Sequence, residues 1–258
     1  MESGLIKIIG ISSLMRHAGD GYAQQESNSR TLLKYALGLL KEKAETKLID
    51  ISDYPINQCR QCYSTSENLC HYPCDCYDDP INDIVLPEIG SADGIIFASP
   101  TFNGNMPPIL SALFSRMLCM EEFEGTKDPL VAKVGACIVT CHEDGAMATA
   151  NSILNNCMEY SFIIPPASIV YHKSSNQRST IFNKEALAQD FLVLKNISMM
   201  IIDVYNMCNL IKNSDIKWGK YEYSRYPASD AEKHKTFRYN QEFMRYLEFI
   251  GKIDDDDQ

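Results

Sequence analysis

The sequence predicts an α/β protein: a doubly wound, five-stranded parallel sheet in the order 2-1-3-4-5, followed by a helical, aromatic-rich C-terminal extension. Three observations lead there. Short apolar runs rich in isoleucine and valine recur along the chain, as buried parallel strands require. Stretches with helical spacing of apolar residues separate them, which makes βαβ units with helices on both faces of a sheet. Five such strands fall within about 170 residues, and 2-1-3-4-5 is one of the two common doubly wound orders.

The elements follow in sequence. Residues 5–11, LIKIIGI, form the first strand. Residues 28–44 place Leu32, Ala36, Leu39 and Leu40 on one helical stripe with Lys and Glu opposite. TKLIDI at 46–51 is the second strand, and a helix is predicted over 80–92. GIIFAS at 94–99 is the third strand, and Pro107 and Pro108 suit the first turn of a helix over 107–119. KVGACIVT at 133–140 is the fourth strand and 146–160 a helix. A fifth strand is expected over 162–170, broken by Pro165 and Pro166. This order is that of the flavodoxin-like sheets, in which ligands bind beyond the carboxyl ends of the strands.

The last third is less regular. A long helix is predicted over 184–212, with Leu187, Phe191, Leu194, Ile201 and Tyr205 at helical spacing. Residues 213–228 are aromatic and polar and hold the single tryptophan, Trp218. Ser229 with Glu232 resembles a capping box opening a final helix that carries Phe237, Phe243, Tyr246, Leu247 and Phe249. The chain is therefore expected to divide into a domain at 1–172 and an extension at 173–258. The extension packs on its own domain or on a second subunit, as in a homodimer or homotetramer.

Composition narrows the partners. The 258 residues are 45% hydrophobic, ample for a packed core, and the formal net charge is −10 with basic residues scattered. Nucleic acid and anionic membrane surfaces are poor partners for such a chain. No uninterrupted apolar run reaches the eighteen or so residues that span a bilayer. MESGLIKIIGIS carries an acidic residue at position 2 and runs straight into a strand, unlike a signal peptide. The expectation is a cytoplasmic protein whose thiols stay reduced, where clustered cysteines read as metal-binding or catalytic before they read as disulfides.

Five of the ten cysteines lie in CRQCYSTSENLCHYPCDC, between Cys59 and Cys76, followed by Tyr77, Asp78 and Asp79. The spacing is Cys59-x2-Cys62-x7-Cys70-x3-Cys74-x1-Cys76. Two cysteines two residues apart suit two thiolates on one metal centre, and five suffice for a four-thiolate site. Tetrahedral zinc would use the same ligands, with His71 as a substitute. The third reading is free thiols or disulfides that only shape the loop. Cys119, Cys137, Cys157 and Cys208 lie in apolar contexts as small core residues, and a buried thiol is the better reading of Cys141 too.

Three further loops sit where a ligand would bind. The first begins Gly10-Ile-Ser12-Ser13 and ends Ser27-Asn28-Ser29 at the start of a helix. Hydroxyls, an amide and a helix N-terminus are what a phosphate dianion needs, and Arg16 could add charge. Capping by Asn28 and Ser29 explains the same residues without a ligand. Neither G-x-x-x-x-G-K-[ST] nor G-x-G-x-x-G occurs, so this is neither a nucleoside-triphosphate loop nor a Rossmann fingerprint. After the third strand, Pro100 and Gly104 shape a turn in which Thr101, Phe102 and Asn103 can meet a planar heterocycle. After the fourth, Thr140-Cys-His142-Glu-Asp-Gly145 is small and polar enough to fold over a ring edge.

These stretches resemble the NAD(P)H-dependent FMN reductase group of flavodoxin-like proteins, and more narrowly the iron–sulfur flavoproteins. GISS…SNSRTLL, the cysteine loop ending in Tyr-Asp-Asp, ADGIIFASPTFNGNMPPILSALFSRM and the 140–146 loop carry the resemblance over about residues 5–170. It implies FMN, with its phosphate on Ser12, Arg16, Ser27, Asn28 and Ser29. The isoalloxazine would lie against Pro100, Thr101, Phe102, Asn103, Gly104 and Asn105, closed over by a loop that includes Thr140, His142 and Gly145. It also implies that Cys59, Cys62, Cys70, Cys74 and Cys76 supply the ligands of a [4Fe–4S] centre. The chain departs from the family in its first loop, where Leu14-Met15 replace the common Ser-Pro and an insertion precedes Ser27. The gap from Cys62 to Cys70 is also wider than the compact family pattern.

With FMN bound, the hard chemistry belongs to the flavin, and no catalytic residue is expected from the protein. The implied activity is an FMN-dependent oxidoreductase. Electrons pass from NAD(P)H or a reduced carrier to a quinone, a flavin, an electron-carrier protein or another small acceptor. A flavodoxin-like electron carrier or redox sensor, and a zinc-stabilised binding module, are the competing classes.

Overall fold

The computed structural model describes residues 5–14, 26–64, 70–121, 129–174 and 187–214. Arg16, most of the insertion before Ser27, the aromatic segment from 215 onward and the final helix fall outside them. The chain divides into two compact units, Met1–Tyr221 and Glu222–Gln258, and all described residues belong to the first.

Five parallel strands form one sheet: β1 (Lys7–Ser12), β2 (Glu45–Asp50), β3 (Gly94–Pro100), β4 (Val134–Cys141) and β5 (Ile169–Lys173). Their order is β2-β1-β3-β4-β5, the expected one. β3 and β4 are central and buried almost throughout, which is why GIIFAS and GACIVT are continuous apolar runs. Helices α1 (Asn28–Leu40) and α5 (Phe191–Lys212) cover one face. Helices α2 (Leu86–Ser91), α3 (Pro108–Met117) and α4 (Ala146–Glu159) cover the other. Phe97 of β3 and Phe114 of α3, both fully buried, meet with ring centroids 5.0 Å apart. Each such side chain contributes roughly 1.5–3 kcal/mol by leaving water.

Two elements differ from the sequence reading. The fifth strand enters the sheet at Ile169, not at 162, because Pro165 and Pro166 cannot donate to a ladder. Ile163 makes only an isolated bridge to Val134 before them, and Ala167 turns the chain with a φ of 53°. The helix expected over 80–92 is split into a wide turn at Ile81–Val85 and a short α-helix from Leu86. Pro87 has no N–H for the carbonyl four residues back, and the turn widens to accommodate it.

Helix α5 begins at Phe191, after a break at 189–190, and packs on α1, β4 and β5; residues 184–186 of the expected helix lie outside the described residues. Asp190 accepts a hydrogen bond from Val193 N (3.1 Å) and holds His172 Nδ1 of β5 at 2.9 Å, so one carboxylate caps the helix and ties it to the sheet. By length and composition α5 could cross a membrane, contrary to the expectation that no segment would qualify. Its Val193, Ile197, Met200, Ile201, Val204 and Cys208 are buried in the core shared with α1, whereas Phe191, Leu192, Met199, Ile202 and Leu210 are exposed.

Candidate functional site

At the carboxyl end of β1 the chain turns immediately. Ser12 and Ser13 are fully buried, and Ser13 N donates to Ala98 O of β3 at 3.0 Å. Ser13 Oγ reaches the same carbonyl, whereas Ser12 Oγ has no partner although it is buried. A buried hydroxyl without a hydrogen bond costs stability, so it marks a place prepared for an acceptor. Ser27 precedes α1 in extended conformation, yet its hydroxyl does not cap the helix. Instead Ser27 Oγ and Ser29 Oγ share a buried hydrogen bond of 2.9 Å. The N-terminus of a 13-residue helix that Ser27 leaves without a side-chain cap, with these hydroxyls, suits a phosphate. Asn28 lies in the same first turn, half-buried.

The neighbouring cation is committed elsewhere. Arg30 binds Asp50 through Nε and Nη2, both at 2.7 Å, and also Glu26, which Lys34 shares. Burial alone would push the Glu26 carboxyl up, but hydrogen bonds from Lys34 and Arg30 hold it below its ordinary value. The anchor lies between α1 and the end of β2, so Arg30 is committed to carboxylates there.

The loops after β3 and β4 are joined to each other. Thr101 N donates to Thr140 O at 2.8 Å, and Thr149 Oγ1 lies 3.2 Å from Thr101 Oγ1. Phe102 and Asn105 exchange backbone hydrogen bonds of 2.7 and 2.9 Å across Asn103 (φ 48°) and Gly104 (φ 75°). Two consecutive positive φ values make a type I′ hairpin turn, and the Asn-Gly pair is its sequence signature. Gly145 adopts φ +90°, and a Cβ there would stand 2.7 Å from Gly104 Cα. The two loops thus meet backbone to backbone, with Pro100 and Thr101 half-buried and Phe102 presenting an exposed ring. Thr140 is buried, and His142 Nδ1 is another buried atom without a partner.

The cysteine loop connects β2 to α2 and is held by α3. Cys59 N donates to Ser115 Oγ at 3.3 Å. Arg116, 1% exposed, donates to both oxygens of Asp79 (2.6 and 3.1 Å), to Asn82 Oδ1 (3.0 Å) and to Asn57 O (3.5 Å). Asn82 in turn donates to Cys74 O and Tyr77 O at 2.8 and 3.0 Å. The Tyr77 ring receives Arg60 at 4.7 Å and Arg116 at 5.1 Å. One buried guanidinium therefore closes both ends of the loop. A charged residue inside the apolar run ALFSRMLCM was the sequence signal for it, since a buried charge requires a partner.

None of the ten cysteines is in a disulfide. Cys76 meets two other thiols of the loop: its Sγ is 3.7 Å from Cys62 Sγ, and it also meets Cys74. Burial and these two thiols push the Cys76 thiol up to about 11. Cys70 is buried in the same core cluster as Cys119, while Cys59 is half-buried. Cys119, Cys137, Cys141, Cys157 and Cys208 are buried, as expected of core residues. His71 turns outward and holds Asp75 at 3.0 Å. Among the described residues no three His, Cys, Asp or Glu side chains close around an ion. The donor chemistry, neighbouring thiols with a buried cation beside them, fits a thiophilic metal centre.

Residues 6–177 match the family described as NADPH-dependent FMN reductase. An iron–sulfur flavoprotein of Methanosarcina thermophila is 31% identical over 134 residues, covering 52% of this chain and 62% of the relative. One from Methanocaldococcus jannaschii is 32% identical over 114 residues, covering 43% and 51%. The chain thus spans between half and two thirds of the curated relatives it matches. Among solved structures, RosB with bound 8-demethyl-8-formylriboflavin-5′-phosphate superposes with a TM-score of 0.66 at 18% identity, over 86% of this chain and 93% of RosB. A flavone reductase superposes at 0.54 and 13% identity, over 97% and 93%. These two likenesses show the shared fold.

Proposed function

Since the chain belongs to the NADPH-dependent FMN reductase family, we propose that it is an FMN-dependent oxidoreductase. It takes electrons from NAD(P)H or a reduced carrier and passes them to a quinone, a flavin or another small acceptor. The observation that carries this reading is the junction at the carboxyl edge of the sheet. There the unpartnered Ser12 hydroxyl ends β1 and the start of α1 has no side-chain cap from Ser27, while the joined 100–105 and 140–145 loops follow the neighbouring strands β3 and β4.

FMN, when bound, supplies hydride acceptance and one- or two-electron transfer. The chain's own part is to bind and orient it. Ser12, Ser27, Ser29 and the first amides of α1 would hold the phosphate, with Asn28 and Arg16 beside them. The ring would rest against Pro100, Thr101, Phe102 and the turn at Asn103–Asn105, with Thr140, His142 and Gly145 over its edge. His142 Nδ1 could then hydrogen-bond the ring, and the rigid Gly104–Gly145 contact would fix the width of the slot. No side chain need transfer a proton.

The cysteine loop would hold an iron–sulfur centre as a second electron store, as the names of the two curated relatives suggest. A zinc ion is the second reading. Two thiolates about 2.3 Å from one tetrahedral ion stand about 3.8 Å apart, close to the Cys62–Cys76 separation of 3.7 Å. The reading goes with a reducing compartment, the cytoplasm, where clustered cysteines serve as metal ligands before they serve as disulfides, and a subunit partner would be a second copy of the chain.

The test is reconstitution of the purified chain with FMN, followed by anaerobic addition of NADPH or NADH. Bleaching of bound flavin by either supports the reductase. Bleaching only by a reduced ferredoxin-type carrier assigns a carrier-fed enzyme. Failure to retain FMN contradicts the reading.

A further inference from the structure

We propose that the outer face of helix α5 is a homodimer interface, on which α5 of a second copy of the chain lies antiparallel across a two-fold axis. The face uses none of the residues assigned above to flavin or metal, so it stands apart from that reading.

The helix is apolar on two sides. Six side chains between Val193 and Cys208 are buried in the core shared with α1. Phe191, Leu192, Met199, Ile202 and Leu210 are each between 49% and 80% exposed. At roughly 100° per residue, these five and the exposed Lys195, Asn206 and Asn209 fall within an arc of about 100°, opposite the buried stripe. A helix that is apolar all round is ordinarily covered all round, and the core covers only one side of this one. A contiguous exposed face of this kind marks an interaction surface.

The occupant that fits this face is the same face. Its exposed residues recur at 192, 195, 199, 202, 206 and 209, the alternating spacing of three and four that makes a two-helix seam. They are also placed symmetrically about the midpoint between Met200 and Ile201. Two antiparallel helices with the axis at that midpoint set Met199 against the partner's Ile202 and Lys195 against the partner's Asn206. Phe191 and Leu192 then meet the partner's Leu210 and Asn209. Apolar side chains match at the centre and the ends, with one polar pair between, which is the self-complementarity an isologous contact requires. A parallel pairing would oppose Lys195 to the partner's Lys195, charge against like charge. The antiparallel one gives that ammonium the carbonyl of an Asn side chain, and polar seam positions of this sort fix orientation.

A lipid surface suits the face less well. Lys195, Asn206 and Asn209 interrupt it, and a net charge of −10 opposes an anionic bilayer.

The experiment measures the mass of the full chain under reducing conditions, by light scattering and sedimentation equilibrium, beside Met199→Glu and Ile202→Lys. A seam about 27 Å long is small for a subunit contact, so dissociation in the micromolar range is expected. Each substitution sets a charge against an apolar side chain across the axis and is expected to weaken association more than about tenfold. Circular dichroism checks the fold, which changes at exposed positions should leave intact. Mixed in equal amounts, the two variants are expected to associate again. One crossing then joins the introduced carboxylate to the introduced ammonium, and the other keeps Ile202 against the partner's Met199. A wild-type chain still monomeric at about 100 µM would overturn the proposal. So would an assembly that neither variant weakens, which would place the contact elsewhere. A mixture no better associated than its parts would overturn the antiparallel register. Flotation of a monomeric wild type with phosphatidylcholine–phosphatidylglycerol vesicles, lost in both variants, would assign the face to lipid instead.

Discussion

Arg116 and Asp79 form a buried two-toothed ion pair, Nη1 to Oδ2 at 2.6 Å and Nη2 to Oδ1 at 3.1 Å, that fastens the far end of the cysteine loop to helix α3. Desolvation opposes the charge on Arg116, but the Asp79 carboxylate outweighs it and raises the guanidinium above its ordinary range. Such a pair matters most when only half of it is removed.

Replacing Arg116 with Met leaves Asp79 buried without its counter-charge. The expected cost is about 3–5 kcal/mol of unfolding free energy in urea. The double variant Arg116→Met, Asp79→Leu is expected to recover most of that loss. Amide exchange in 57–79 should accelerate in the single variant, because Asn57 O and Asn82 also lose their donor. Equal stability of wild type and Arg116→Met would refute the clamp.

The phosphate assignment separates two quantities that usually move together. Ser12→Ala removes a buried hydroxyl that has no partner, so the flavin-free chain should hold its stability or gain slightly. FMN affinity should fall roughly tenfold, since a hydrogen bond to a charged group contributes about 1.5–3 kcal/mol. Adding Ser29→Ala should lower it further. Calorimetric FMN titration with thermal melts of the flavin-free protein reads both, and unchanged affinity in the double variant would dismiss the loop.

Gly145 tests the contact between the two ring loops. Gly145→Ala puts a Cβ 2.7 Å from the Gly104 backbone and demands φ +90° of an L residue, a strain of about 1–3 kcal/mol. The outcome expected is faster FMN release with the sheet intact, measured by stopped-flow fluorescence and far-ultraviolet circular dichroism. Wild-type release kinetics would show that the contact does not shape the slot.

Alkaline pH should unfold the chain through its core thiols. Burial pushes Cys137 and Cys208 up to about 12, whereas unfolded cysteines ionise near 8.5. Above that value the unfolded chain binds fewer protons than the native one, so stability is full below about pH 8.5 and falls towards pH 12. At pH 10 each thiol costs about 2 kcal/mol. Urea midpoints at pH 7, 8.5 and 10 check this, and Cys208→Ala should flatten the alkaline limb.

The sheet was legible because its central strands are unbroken isoleucine and valine runs, and the helices because their apolar stripes are regular. The start of β5 was misplaced because Phe162, Ile163 and Ile164 have the composition of a strand, while Pro165 and Pro166 after them lack the donors to continue one. The type I′ turn stood in view as Asn103-Gly104 and went unread. Arg116 could be suspected from its apolar neighbours, but its partner Asp79 lies 37 residues away and only the folded chain brings them together.

The most direct measurement is the visible absorption spectrum of protein purified without oxygen, before and after dithionite, with flavin, iron and zinc determined on the same sample. The expected spectrum has flavin bands close to one FMN per chain, on a broad shoulder that bleaches with dithionite, with iron present. A colourless protein that takes up neither FMN nor metal on reconstitution would contradict the account.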